Sequence, residues 1–414
     1  MTTNQPLQTL KGFRDFLPEE KRKRDFVAKK IKEIFEKYGF EPLETPTLEY
    51  ASLLLGKYGK EADKLVYTFE DRGGREIALR YDQTVPSARV LAQYQGQLPK
   101  NFRRYQIQNV YRADKPQKGR FREFTQCDID IFGSTSTVAD AEILTCTYFA
   151  LKNVGFSSVS LKINDRETLV STLTPFATKE VPVFSITQTL DKLDKVSGDD
   201  VVAELVDKGL SHEAVQAALE NCRQASISPR LTAIIDQAVA LGVPRESLVF
   251  TPVLARGLDY YTGMIFEIII QEYSAGSLGG GGRYDNLISQ LSGLSMPAVG
   301  VGLGFDRIVE IASQLGLVTV KQSNANVLIT FFSEELIRDS LEVAKRLREK
   351  GIAVEVYPAL DKLGQQFKTA NQKNIPFTLV IGEEEKAQGK IALKNMETGS
   401  QEILNLDEVV ERLR

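Results

Sequence analysis

The sequence predicts an α+β region interrupted by a helical insertion, followed by a separate α/β domain. Three observations carry this. Strand-forming runs alternate around turn signals, as at 65–69 and 76–80 about Asp71-Arg72-Gly73-Gly74, and again at 105–111 and 121–132. From about 166 to 249 the texture becomes helix-rich and charged. Beyond 326 strands and helices alternate, the signature of parallel pairing in an independent domain. A chain of 414 residues is too long for one core. The expected division is therefore a core region of residues 1–165 and 249–320, an insertion at 166–248, and a C-terminal domain at 326–414.

Composition narrows the chemistry. Hydrophobic content of 42% and charged content of 26% are those of a soluble globular protein. No apolar run approaches the roughly 20 residues that span a bilayer, and the polar N-terminus lacks a secretory core, so a cytoplasmic location is expected. Cys127, Cys146 and Cys222 are scattered without CxxC spacing, which disfavours disulfides and structural zinc. His212 is the only histidine and stands in a polar helical stretch, so it is expected at the surface. A His base, a Ser-His-Asp triad or a His-liganded metal is thereby disfavoured. Chemistry must run on Arg, carboxylate, Tyr and Gln.

Taken in order, residues 19–38 form an amphipathic helix with Phe26, Ile31, Ile34 and Phe35 on one face, stopped by Gly39. Residues 40–47 read as a short strand whose Pro42 and Pro46 place it at an edge or interface. After the first hairpin, Arg80-Tyr81-Asp82-Gln83-Thr84 leads into a helix at 85–94, where Asp82 or Thr84 is either the cap or part of a site. Helix 137–153 and strand 157–164 precede the insertion.

The second hairpin is basic. Residues 100–123 hold eight Lys/Arg against two acids, a net of +6, although the whole chain is at −3. Such a patch suits phosphate contacts, and its long linking loop suits function. On the returning strand Arg122, Gln126, Asp128 and Asp130 share a parity and hence a face. That face is either open to water or lines a site.

Three glycine- or tyrosine-rich stretches follow. Arg256-Gly257-Leu258-Asp259-Tyr260-Tyr261-Thr262 enters a strand at 264–270, and reads as a turn or a site. If strand alternation holds there, one tyrosine faces a pocket and the other the far side. Gly279–Gly282 reads as a flexible turn or as main chain that something lies directly against. Gly300 through Gly304 passes into a helix at 306–315 with Arg307 in its first turn. Its spacing does not fit a dinucleotide fingerprint.

With these stretches in place, the chain resembles the class II aminoacyl-tRNA synthetases, and within class IIa the histidyl-tRNA synthetase family, over essentially its whole length. Gly39-Phe40 through Thr45-Pro46 is similar to the class's first motif, Tyr111-Arg112 through Phe124 to the second, and Gly302 through Arg307 to the third. Arg256–Thr262 and Gly280-Gly281-Gly282-Arg283-Tyr284-Asp285 resemble the histidyl-specific peptides. The resemblance implies a catalytic domain with a mostly antiparallel sheet flanked by helices, and a C-terminal anticodon-binding domain.

It further implies adenylation of L-histidine by ATP with a phosphate-held Mg2+, then transfer to the 3′ end of tRNA(His), in a homodimer joined through residues 38–46. Carried onto matching positions, Arg112, Arg120, Phe124, Gly304 and Arg307 bind ATP. Asp82, Thr84 and Gln126 hold the α-amino group of histidine. Asp130 meets the imidazole together with the Tyr260–Tyr261 pair, Tyr261 facing it. Arg256 lies near the carboxylate and α-phosphate, and Arg112 and Arg256 are the catalytic pair. Gln117 reads the tRNA acceptor end. Asp82 and Asp130 stand where many bacterial members carry glutamate. The rival readings are a non-catalytic regulatory relative in histidine biosynthesis, another class IIa synthetase, and a stand-alone RNA-binding protein.

Overall fold

The computed structural model describes residues 7–56, 63–116, 119–193, 196–255, 260–273 and 276–414. The expectations placed on Gln117 and Arg256 lie outside the described residues. The chain divides into two compact units, Met1–Thr319 and Val320–Arg414.

The first unit opens with the helix Pro18–Lys37, which has Pro at its first position and Glu19 and Glu20 in its first turn, where they complement the helix dipole. It buries Val27, Ile31, Ile34 and Phe35. The strand expected at 40–47 is reduced to β1 (Glu41–Pro42), at the edge of the main sheet and parallel to the strand Phe102–Tyr111. Pro42 and Pro46 have no N–H to donate, so the ladder fails early. Leu43 N still donates to Tyr105 O at 2.9 Å, but at Thr45 the acceptor is already the Gln108 side chain, at 3.1 Å.

β2 (Leu48–Tyr50), β3 (Thr68–Glu70) and β4 (Glu76–Leu79) make a small antiparallel sheet in the order β2-β4-β3. The β3–β4 turn is the Asp71–Gly74 signal, with Asp71 Oδ1 accepting from Gly73 N at 2.8 Å and Arg75 N at 3.0 Å. The main sheet comprises β1, β5 (Phe102–Tyr111), β6 (Glu123–Phe132), β7 (Val159–Asp165), β8 (Leu248–Phe250), β9 (Met264–Ile270), β10 (Gly279–Arg283) and β11 (Ala298–Gly304). Its order is β1-β5-β6-β11-β10-β9-β7-β8. Only the β1–β5 and β7–β8 ladders at its two edges are parallel, so it is the mostly antiparallel sheet expected.

One face of this sheet is apolar. Cys127, Ile129 and Ile131 of β6, Val299, Val301 and Leu303 of β11, and Phe266 and Ile268 of β9 pack there with Pro18–Lys37 and the helix Thr137–Val154. In that helix Ser136 Oγ accepts from Val138 N at 3.2 Å and Gly155 ends it at φ +119°. Gly279–Gly282 is not a flexible turn: it is β10, held between β9 and β11 in mid-sheet.

Between β7 and β8 the described residues form five α-helices, Arg166–Leu173, Val183–Leu190, Gly198–Asp207, His212–Gln224 and Pro229–Ala240. The first four share a small core that includes Leu169, Ile186, Val201 and Cys222, whereas the fifth joins the main core through Leu231 and Ile234. His212 is exposed at a helix start. All three cysteines are buried and unpaired.

The second unit is a five-stranded sheet, β12 (Val327–Ile329), β13 (Val354–Val356), β14 (Phe377–Val380), β15 (Ile391–Asn395) and β16 (Gln401–Leu404), ordered β13-β12-β14-β15-β16. Pairing is parallel for β12 with β13 and β14, and antiparallel for β14–β15 and β15–β16. The expectation of largely parallel pairing thus holds for half of it. Between β14 and β15 there is only the short helix Glu383–Ala387, and β16 follows a turn in which Asn395 Oδ1 caps Glu397 N and Thr398 N. Neither link is long enough for a crossover. Gln366 ties the helix Leu363–Gln372 to the sheet, its amide bonded both ways to the Phe331 backbone at 2.9 Å. No helix among the described residues is long and apolar enough to cross a membrane.

Candidate active site

The other face of the main sheet is built differently. Register places Arg104, Gln106 and Gln108 of β5 opposite Asp130, Asp128 and Gln126 of β6, and these in turn opposite Gly300, Gly302 and Gly304 of β11. Gly282 and Gly280 of β10 continue the two rows beside Gly300 and Gly302. Half of the face is thus charged or polar and half is glycine floor. Its far end is closed by Phe102, Phe132 and Ala298, which pack under Ala88 and Leu91 of the helix Thr84–Gln93. Arg104, Gln106, Asp128 and Asp130 are nevertheless buried, so their charges and polar groups must find partners within this face or in what binds on it.

The glycines are required by close approach. A Cβ on Gly300 would fall 1.8 Å from Asp130 Oδ1, and one on Gly282 would fall 2.4 Å from Met264 O and 3.0 Å from the Tyr261 ring. Anything larger than hydrogen would displace the groups that lie on the sheet.

At the open end lies a cavity of about 350 Å³ lined by Arg112, Arg120, Phe124, Gln126, Gly304 and Arg307, together with Asp114 and Asp306. Arg112 sits over the rings of Tyr81 at 4.4 Å and Phe124 at 5.1 Å, and its Nε donates to Tyr81 O at 3.3 Å. Arg307 is held by a bond from Nη1 to Ser277 O at 2.6 Å. Arg120 is mostly exposed, 3.9 Å from Asp114. Three guanidiniums around one cavity make a site for a polyanion.

At the closed end is a buried ionic cluster. Arg104, fully buried, pairs with Asp130 at 2.6 Å, and its Nε and Nη1 find no hydrogen-bond partner among the described residues. Tyr284 OH donates to Asp130 Oδ1. Burial pushes the Asp130 carboxyl up, opposed by Arg104 and by the Tyr284 bond. Asp128 is pushed up to about 7, first by burial, with Arg104 opposing and Asp130 and Asp82 reinforcing. Among the described residues, Asp82, Asp128 and Asp130 face the single guanidinium of Arg104 at this end.

Asp82 is buried, and its Oδ1 accepts from Val85 N at 3.1 Å, so it caps the helix as well as facing Asp128. Thr84 is the first residue of that helix. The segment is pinned by Gln83, whose Nε2 donates to Gln108 O at 2.9 Å and Gln126 O at 3.1 Å.

Tyr260 and Tyr261 precede β9 rather than belong to it, so strand alternation does not apply to them. Their rings lie side by side, centroids 4.7 Å apart, and Tyr260 also meets Tyr284 edge-on at 5.8 Å. The expectation that the two point to opposite faces is corrected: both belong to the cluster around Tyr284 and Ile265. Before the 256–259 stretch the chain is anchored at Leu254, whose carbonyl accepts from Asn164 Nδ2 at 2.9 Å.

Sequence reasoning missed several members of the site. Gln83 and Arg104 carry no motif, although the parity of β5 places Arg104 on the polar face. Arg14 and Asp306 bond to each other across 292 residues, which no local pattern reveals. Arg24 completes the set, 2.6 Å from Asp306 and bonded to Thr125 at 2.7 Å, while Arg14 lies 3.3 Å over the Phe121 ring. Arg122, assigned to the polar face by parity, lies just before β6, and its Nε donates to Asp114 O at 3.0 Å.

Comparison with known proteins agrees with this geometry. The family model described as histidyl-tRNA synthetase matches residues 12–308, and that of an anticodon binding domain matches 318–414. A histidine–tRNA ligase of Wolinella succinogenes is 38% identical, with 95% of each chain covered. One from Rhodopirellula baltica is also 38% identical, covering 94% of this chain and 93% of that one. The crystal structure of histidyl-tRNA synthetase from a Nostoc species superposes with a TM-score of 0.83 at 29% identity, covering 99% of both chains. An eight-stranded sheet floored with glycine, its arginine-lined cavity and these matches together place the chain: it belongs to the histidyl-tRNA synthetase family.

Proposed function

We propose that this chain is a histidine–tRNA ligase: it joins L-histidine to ATP, releasing pyrophosphate, and passes the histidyl group to the 3′ end of tRNA(His). The observation that carries the reading is the division of one sheet face into an arginine-lined cavity and a carboxylate-rich end, meeting at Gln126. Adenylation requires the histidine carboxylate to attack the α-phosphorus of ATP as the bond to pyrophosphate breaks. Alignment and charge stabilisation at phosphorus are the main demands on the protein.

In this reading Arg112 meets the α-phosphate, Arg307 and Arg120 the phosphate tail, and Phe124 adenine, with Gly304 leaving the main chain bare beneath. Arg256 is the second cation at the reacting carboxylate. Divalent metal enters with ATP, and Mg2+ is the ion we propose. Asp306 is already engaged by Arg14 and Arg24, so phosphate oxygens supply most of its ligands.

The α-ammonium of histidine is met by Asp82, Thr84 and Gln126, and its imidazole by Asp130 and the Tyr260–Tyr261 pair. A site with buried polar partners rejects analogues that leave them unpaired, by about 10⁴-fold or more, without editing. The second unit takes the anticodon end of the tRNA, and Gln117 the acceptor end. The protein works in the cytoplasm as a homodimer joined through residues 38–46, where β1 forms the sheet edge. Charging of tRNA(His) with labelled histidine tests the reading. A folded protein that charges no tRNA with histidine contradicts it.

A further inference from the structure

We propose that Asp128 is a positioning residue: it fixes the side-chain amide of Gln126 so that Oε1 faces the amino-acid pocket as an acceptor for the α-ammonium of histidine. The inference rests on the reading that Gln126 meets that ammonium.

The geometry is specific. Gln126 Nε2 donates to both Asp128 oxygens at 3.3 Å. Its Oε1 is buried and has no hydrogen-bond partner among the described residues, although Gln126 lines the cavity. A buried amide oxygen left bare carries a desolvation cost that a cationic ligand would recover. Gly302 makes room for the pair, since a Cβ there would fall 3.2 Å from Asp128 Oδ1 and 3.4 Å from Gln126 Nε2. An ionised carboxylate only accepts, so it selects the amide orientation with NH2 on the carboxylate and the oxygen turned away from it.

Other neighbours leave Asp128 to this task. Gln106, opposite it on β5, spends Nε2 on Thr45 Oγ1 at 2.8 Å. Arg104 is paired with Asp130, and Asp82 approaches from the segment before the helix Thr84–Gln93. With its carboxyl pushed up to about 7, Asp128 titrates near neutrality. Once protonated it donates as readily as it accepts, and the preference for one amide orientation is lost. Histidine binding should therefore weaken as pH falls through 7, beyond what titration of the substrate's own imidazole causes.

The test is histidine-dependent exchange of pyrophosphate into ATP, measured across the neutral pH range on the full chain and its variants. D128N should raise KM for histidine about tenfold, the worth of one charge-assisted hydrogen bond, with kcat and KM for ATP nearly unchanged. It should also flatten the pH dependence of KM to that of the substrate alone. In the double variant Q126E/D128N the introduced carboxylate is an acceptor in either orientation and the introduced amide can donate to it, so KM should recover. A merely structural role would not be rescued by that exchange. Unchanged KM in D128N alongside a raised KM in Q126M overturns the inference while leaving the reading of Gln126 intact. Unchanged KM in Q126M overturns both. A D128N defect shared equally by kcat and both KM values, and not recovered in the double variant, also overturns it.

Discussion

Replacing Gly300 by alanine puts the glycine floor under direct strain. The added Cβ would sit 1.8 Å from Asp130 Oδ1, 2.5 Å from Asp130 Cγ and 2.7 Å from Ile129 O. The backbone of β11 is paired on both edges, to Asp130 of β6 and Gly282 of β10, so the strand cannot move away. Asp130 must give, and with it the pair to fully buried Arg104 and the bond from Tyr284. Breaking a buried ion pair costs about 3–5 kcal/mol, and overpacking alone about 1–3 kcal/mol. Taking only the lower end, about 3 kcal/mol for the lost pair, Gly300→Ala should lower the thermal midpoint of the first unit by at least roughly 6–12 °C, at about 2–4 °C per kcal/mol. KM for histidine should rise well beyond KM for ATP, because Asp130 lies at the closed end and not in the arginine-lined cavity. Gly96→Ala, with nothing within 4 Å of its new Cβ, is the matched control and should change neither. The measurement is calorimetry together with exchange kinetics on both variants. A Gly300→Ala protein with wild-type midpoint and wild-type KM for histidine would refute the reasoning.

Other perturbations have equally definite outcomes. Asp140→Ala strips the buried Arg283 of three bonds at 2.9, 3.2 and 2.8 Å, and should cost about 3–5 kcal/mol in urea unfolding; a loss under 1 kcal/mol, roughly that of an exposed pair, counts against it. Arg14→Ala removes the link between the Phe121 ring and Asp306 and should raise KM for ATP about tenfold, with little change for histidine; equal effects on both substrates would deny it that role. The raised carboxyl of Asp128 sets a pH-dependent stability. Its pKa moves from 3.8 to about 7 on folding, so the folded state holds the proton more tightly. Its contribution is most favourable below the unfolded value and is lost as pH rises through about 7. Without ligands, Asp128→Asn should raise the melting temperature relative to wild type near pH 8 and make no difference near pH 4; a gap that widens on acidification reverses the sign.

How much of this was legible in the sequence depends on which residues carried periodic information. Gln126, Asp128 and Asp130 alternate with Cys127, Ile129 and Ile131, and period two sorted them onto the site face and the core face. Glycine has no side chain to sort, so Gly279–Gly282 read equally as a turn, and only its pairing with β9 and β11 shows it to be strand. The same bareness hid the reason for Gly300 and Gly302, which is the carboxylates lying over them. Tyr260 and Tyr261 were assigned by strand alternation although the strand begins at Met264, and outside it the rule has no force. Asp82 had two readings, cap and site, and it does one while standing beside the other. Arg14 with Asp306, and Gln83 with the backbones of β5 and β6, are contacts made by the fold, with no local signature to find.

The proposed site binds histidine at the carboxylate-rich end of one sheet face and ATP in its arginine-lined cavity. Exchange of labelled pyrophosphate into ATP, run on the full chain with each of the proteinogenic amino acids in turn, tests it most directly. Exchange stimulated by histidine alone, and abolished in Arg112→Ala with the fold retained, is the expected result. Exchange stimulated by a different amino acid, or by none in a folded protein, would contradict it.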